Sequence, residues 1–249
     1  MLPVVQIGPL ALQTSGLILL IGLWVALSLA EHYANKWNIQ PSTLYNLVFV
    51  GLVFGVIGAR FGYVLRYAEV FAESPVSLIS LNPGLLSLGD GLFIACLASW
   101  VYGHRKGLPF WSTLDALTPA LAVMAIAISV SHLASGAGFG SPTSLPWGMD
   151  LWGTRRHPTQ FYETLAALII LWFFWPGRPG FQSWFPGRYF LTFLATSAGL
   201  RLFLEAFRAD SVLLPGGFRA AQIIAWLVLS ASLWMLDRLG NRKEIEKQS

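Results

Sequence analysis

The chain has 249 residues, 55% of them hydrophobic and only 11% charged, with a mean hydropathy of +0.60. A soluble domain carries about 25% charged residues, so this chain has too few to wet its surface, and one membrane bundle over 1–249 is expected instead of soluble domains. The net charge of +4 does not point to nucleic acid, because the basic residues fall in short stretches between apolar runs, without a basic stripe; anionic lipid headgroups are the simpler partner.

A membrane-crossing helix needs about 20 mostly apolar residues. Seven such runs are read, near 11–30, 44–66, 87–103, 113–134, 160–176, 187–206 and 219–237. The expected fold is therefore an all-α integral membrane bundle of about seven transmembrane helices. The first run has no basic residues before it and no small-residue cleavage site after it, so no cleavable signal peptide is expected. In the second run, GVIGARFGYVLRY places Gly55, Gly58 and Gly62 near one helix face with Arg60 beside them. Small residues at that spacing let helices approach closely. Two readings stand for Arg60: a partner on another helix, or a phosphate ligand in a cavity.

The third run opens with Asp90 in LGDGL and contains the single cysteine, Cys96, expected to be a buried packing residue. One thiol excludes an internal disulfide. The fourth run carries His132 among Ser129, Ser131 and Ser135. A histidine bonded to serine is one reading and a proton acceptor beside a substrate cavity is the other. The loop at about 135–158 follows, rich in Gly, Ser, Pro and Trp; its tryptophans argue for an ordered segment at the membrane surface.

RHPTQFYE leads into the fifth run and groups Arg156, His157, Gln160, Tyr162 and Glu163, with Pro158 at the helix start. The cluster Trp172 to Trp175 fits an interfacial aromatic belt. In the sixth run RLFLEAFRAD puts Arg201, Glu205 and Arg208 on one helix face, with Asp210 at the outer end. Two arginines around one carboxylate imply surplus positive charge, and a guanidinium fork suits a phosphate. An anionic headgroup site is expected there, against a structural ion-pair ladder.

Orientation follows from Lys and Arg on alternate connections. One set holds Lys36, Arg105, Lys106, Arg178, Arg188, Arg238, Arg242, Lys243 and Lys247; the other holds Arg155, Arg156, Arg208 and Arg219, and 69–86 has no basic residue. The richer set is read as cytoplasmic, which places the N-terminus and the 135–158 loop outside and the C-terminus inside. The four histidines, His32, His104, His132 and His157, lie in separate segments without ligand spacing. No metal and no cofactor is implied.

Taken in order, these segments resemble the prolipoprotein diacylglyceryl transferase family. IGPLALQTSGL is similar to the family's entry to its first helix, GARFGYVL to its second, and LDALTPALA to its fourth. LPWG followed by RHPTQFYE is the most specific match, and RLFLEAFRAD with the later Gln222 is nearly as good. The resemblance implies a multi-pass protein of the bacterial cytoplasmic (inner) membrane. It would move diacylglyceryl from phosphatidylglycerol to the thiol of a lipobox cysteine in an exported preprotein, releasing glycerol phosphate. Such chemistry needs a base or electrostatic help for the thiol and cations for the leaving phosphate.

This chain departs from the family pattern at several functional positions. Ser15 stands where the family has a tyrosine, and Gly89, Asp90 and Gly91 replace a His-Gly-Gly segment. The family's arginine- and asparagine-bearing stretch aligns with Ile128 to Ala137, where Ser129, His132, Ser135 and Ala137 stand at the usual arginine, asparagine, asparagine and acid. Arg201 falls on a family functional arginine. The candidate catalytic residues are accordingly His132, Arg201 and Asp90, with either His132 or Asp90 taking over the lost histidine's task. The candidates for holding the lipid are Arg60, Arg156, His157, Gln160, Tyr162, Glu163, Glu205 and Arg208. The alternative is an inactive relative that keeps a lipid cleft and serves as a lipid-binding or assembly subunit. A small transporter is a distant third reading, because the paired broken helices expected of one are missing from the sequence.

Overall fold

A computed structural model describes residues 4–7, 10–73, 86–175 and 185–248. The apolar runs are helical. In chain order they are α1 (Thr14–Tyr33), α2 (Pro41–Arg66), a short α3 (Ala68–Glu73), α4 (Leu88–Arg105), α5 (Phe110–Ser135), α6 (Thr159–Phe173), α7 (Arg188–Glu205) and α8 (Ala220–Gln248). The first helix is set three residues later than the expected 11–30. Residues 11–13 belong to β2 (Leu10–Gln13), paired antiparallel with β1 (Val4–Ile7), and the helix begins at Thr14 and Ser15, residue types that favour a helix start. Arg178, most of the 69–86 connection and Ser249 lie outside the described residues.

Among the described residues, four stretches are long and apolar enough to cross a membrane: Thr14–Trp37, Pro41–Arg66, Phe110–Ser135 and Ala220–Asn241. The other three expected spans are shorter or more polar. α6 has 15 residues, about 22 Å at 1.5 Å per residue. α4 and α7 have 18 residues each, but α4 carries Asp90, His104 and Arg105, and α7 carries Arg188, Arg201 and Glu205. α7 buries Tyr189, Leu191, Phe193, Ala195, Ala198 and Leu204, and a helix packed among other helices need not be lipid-like all round. Large apolar side chains cover the outside: Trp24, Phe61, Phe93 and Trp226 are each at least 60% exposed. In water such a surface would aggregate, whereas hydrocarbon accommodates it. The chain is an all-α, multi-pass membrane protein.

Two compact units are present, Ala34–Thr113 and Met1–Tyr33 with Leu114–Ser249. In the former, α2 and α4 pack through their glycines. A Cβ on Gly55 would meet Ala95 and the Gly91 carbonyl, one on Gly58 would meet Ile94, and one on Gly62 would meet Asp90. The glycine face is thus a packing seam. Arg60 stands off that seam, with its guanidinium 5.3 Å from the Phe71 ring centroid. Cys96 is exposed, which corrects the expectation of a buried thiol: Gly91, Ala95 and Ser99 take the face towards α2, and Cys96, about 100° around the helix from Ala95, falls outside it.

In the larger unit α5 is central. Ala116, Ala120, Ala122, Val123 and Ala127 are buried, and Gly22 of α1 packs on Ala127 so closely that a Cβ there would collide. Asp115, fully buried, accepts the backbone N–H of Gly187 at 2.7 Å and of Phe190 at 2.8 Å. It thereby satisfies two of the orphan donors at the start of α7. This carboxylate fixes the helix that carries Arg201 and Glu205.

Candidate functional site

The loop between α5 and α6 is ordered, as its tryptophans led one to expect. β3 (Met149–Leu151) and β4 (Thr154–Arg156) form a hairpin whose tip residues Trp152 and Gly153 have φ of 55° and 71°, the conformation a two-residue hairpin turn requires. Bridges join Pro142 to Arg156 and Gly140 to Arg208, so backbone pairing ties the hairpin through 140–142 to the chain beyond α7. Arg156 braces this ribbon by donating to the carbonyls of Leu151 at 3.2 Å and Gly140 at 3.3 Å.

An ionic cluster lies beneath the ribbon. Glu163, in the first turn and a half of α6, accepts from Arg201 at 3.0 Å and Arg208 at 2.7 Å through one carboxylate oxygen. Arg208 is only 9% exposed and grips Asp210 with a two-point fork at 3.0 and 2.9 Å. Burial works against the charge of Arg208, but Glu163, Asp210 and Glu205 more than offset it and raise its pKa above the ordinary arginine value. Glu205 is 1% exposed; its Oε2 lies 2.9 Å from Arg201 Nη2 as an ion pair off hydrogen-bond alignment, and its Oε1 accepts from Ser211 at 2.6 Å. Arg219 adds bonds to the carbonyls of Glu205 and Arg208.

Two features of the sequence reading change here. α7 ends at Glu205, so Arg208 projects from the following turn and not from the helix face. The expected surplus of positive charge is absent from the cluster, because Glu163 and Asp210 converge on it: Arg201, Arg208 and Arg219 face Glu163, Glu205 and Asp210. Spacing along α7 could not show a carboxylate arriving from α6.

His132, near the end of α5, has its Nδ1 buried and without a hydrogen-bond partner among the described residues, 3.9 Å from the second oxygen of Glu163. That separation is too long for a hydrogen bond and close enough for an ion pair when the ring is charged. Two of the three nearby serines bond elsewhere: Ser129 donates to the Ile126 carbonyl and Ser135 to the Ser131 carbonyl. Gly138 explains the packing around the ring. Its φ is +67°, and a Cβ there would lie 3.3 Å from His132 Nδ1 and from both Arg208 terminal nitrogens. Its N–H donates to Asp210 at 2.9 Å and its carbonyl accepts from Thr159 at 2.5 Å.

The remaining candidates divide. Gln160 is fully buried and donates to the Ala137 carbonyl at 2.9 Å, holding the loop to α6. His157 and Tyr162 line the loop end of a groove of 430 Å³ between α6 and α7. Trp147 Nε1 donates to the Tyr162 hydroxyl at 2.9 Å. Asp90 and Arg60 belong to the Ala34–Thr113 unit, where Asp90 pairs with Arg66 at 3.2 Å. The sequence reading passed over Asp115 and left Asp210 at the margin. A carboxylate inside an apolar run is costly unless satisfied, and that signal was available for Asp115.

The exposure of the cluster is uneven. Arg208 and Glu205 are enclosed and their donors and acceptors largely committed, whereas Arg201 is 39% exposed. Chemically the arrangement offers one half-open guanidinium held rigidly by two carboxylates, with an unbonded imidazole nitrogen on the far side of Glu163.

Comparison with known proteins places the chain. The family model described as prolipoprotein diacylglyceryl transferase matches residues 3–237. A phosphatidylglycerol–prolipoprotein diacylglyceryl transferase of Thermus thermophilus is 30% identical over 275 aligned residues, covering 95% of this chain and 97% of that protein. The protein of the same name from Trichormus variabilis is 30% identical, with 96% and 89% covered, and that from Finegoldia magna is 25% identical, with 88% and 87% covered. The chain belongs to the prolipoprotein diacylglyceryl transferase family.

Proposed function

We propose that this protein transfers diacylglyceryl from phosphatidylglycerol to the lipobox cysteine of exported preproteins, with seven spans in the bacterial cytoplasmic membrane, the N-terminus and the 135–158 loop outside and the C-terminus in the cytoplasm. The observation that carries the reading is the pairing of half-exposed Arg201 with an unbonded His132 Nδ1 across Glu163. Arg201 holds the phosphate. His132 takes the thiol proton. The sulfur forms a bond to the terminal glyceryl carbon, the bond from that carbon to the phosphate oxygen breaks, and glycerol phosphate leaves with the electron pair.

Charge bookkeeping supports this division of labour. The arginines and carboxylates of the cluster balance, so the resting site holds no large excess for the lipid's single negative charge. As the thiol proton arrives, His132 becomes an imidazolium beside Glu163 while the leaving phosphate gains charge. The positive charge therefore appears when the transition state needs it. Asp90, paired with Arg66, is the poorer substitute for the family's histidine. The inactive-relative alternative draws no support from the relatives named above, whose names all specify transfer.

The test is a transfer assay with purified protein, phosphatidylglycerol vesicles and a lipobox peptide. Diacylglyceryl thioether peptide is expected, and His132→Ala lowers the rate about a hundredfold or more while the protein stays folded. A wild-type protein that forms no product above background overturns the reading.

A further inference from the structure

The groove between α6 and α7 is apolar except at one end. Leu165 and Ile169 wall it on α6, Leu200, Phe203 and Leu204 on α7, and Ala166 forms part of its lining. From Tyr162 to Ile169 it runs about 10 Å along the α6 axis. Its volume of 430 Å³ lies within the roughly 300–1,000 Å³ of small-molecule sites. Leu165 and Phe203 are 60% and 65% exposed, so the groove opens sideways on the apolar outer surface.

Polar groups are confined to the loop end. The Tyr162 hydroxyl accepts from Trp147, which leaves the phenolic proton for another acceptor. His157 Nδ1 is buried there without a hydrogen-bond partner among the described residues. Such a site suits a ligand that is apolar along its length and carries a hydrogen-bond acceptor at one end. Glu163 is adjacent in sequence to Tyr162, and Arg208 to Phe207 of the groove wall, so a head at Tyr162 lies within a turn of the cluster.

We propose that this groove holds one acyl chain of a glycerophospholipid, with its ester carbonyl accepting the Tyr162 hydroxyl and its chain running along α6 towards Ile169. The assignment does not require turnover and extends the transfer reading by separating the anchoring of the lipid from its chemistry. The experiment uses the full chain in bilayer nanodiscs with phosphatidylglycerol bearing a photoactivatable diazirine in one acyl chain, and maps the labelled peptides. Labelling concentrated on α6 and α7 is expected, over the similarly apolar α8. Ala166→Phe fills the groove and lowers that labelling, while Leu227→Phe on α8 leaves it unchanged. Tyr162→Phe keeps the shape, removes one hydrogen bond, and lowers it about fivefold; it decides the matter if Ala166→Phe does not fold. Equal labelling of all three helices, or labelling unaffected by both groove variants, identifies ordinary boundary lipid and overturns the proposal. So does a photoactivatable lipobox peptide that labels the groove in the lipid's place. Labelling without transfer would sink the reaction and keep the groove; transfer without labelling would do the reverse.

Discussion

Glu163 on α6 and Arg208 beyond the end of α7 meet at 2.7 Å, and that contact joins the RHPTQFYE segment to the RLFLEAFRAD segment. Because Arg201 binds the same carboxylate oxygen, one acid holds two cations in a largely enclosed site. Removing its charge leaves both arginines short of a partner. Glu163→Gln is expected to destabilise the protein by about 3 kcal/mol, the lower end of the cost of breaking a buried pair, because Arg208 keeps Asp210. An unchanged midpoint of unfolding in detergent would show that the cluster does not hold these helices.

Arg201 should behave differently. It is the half-exposed member, and Glu205 retains Ser211 and Arg208 when it is gone. Arg201→Ala is expected to fold, to lose bound phosphatidylglycerol and to slow transfer about a hundredfold or more, the scale of removing one donor to a developing oxyanion. Arg201→Lys keeps the charge without the fork and should fall between. If Arg201→Ala left copurified anionic lipid and rate unchanged, the headgroup site would lie elsewhere.

Asp115 acts at a distance from the chemistry. Its two oxygens cap the start of α7 through Gly187 and Phe190. Asparagine can accept only one of those N–H groups and turns an amide donor on the other. Asp115→Asn should therefore lower stability by about 1–3 kcal/mol, the cost of an unsatisfied buried donor. Hydrogen exchange would show it as faster exchange at Gly187 and Phe190, and undiminished protection there would refute the capping role.

Orientation is checked with reporters. A fusion after Ser249 is expected to read cytoplasmic, and an insertion near Ser141 external. The reverse result at either site would overturn the Lys and Arg count.

Much of the architecture was legible because hydrocarbon imposes a simple rule: backbone polar groups must be satisfied within the segment, so long apolar runs are helices. The helices α2, α4, α5, α6 and α7 begin and end within three residues of the apolar runs, apart from the end of the α6 run at 176, which lies outside the described residues. The glycine seam of α2 was equally plain, since three glycines at helical spacing have few other uses. The family was legible from RHPTQFYE and RLFLEAFRAD for the same reason their residues now meet: charged groups in such a chain are kept where partners compensate them.

Tertiary structure alone decided the balance of the site. Helical spacing links residues three and four apart, so it could pair Arg201 with Glu205, but it is blind to Glu163, 38 positions away from Arg201. It could not place Asp210 on the Arg208 fork, nor separate Tyr162 and His157, which line a groove, from Glu163, which anchors the cluster. Nor could it show that Ser129 and Ser135 bond backbone carbonyls and not the Nδ1 of His132. Those outcomes depend on where helices distant in sequence come together, and periodicity along one helix carries no information about the face presented by another.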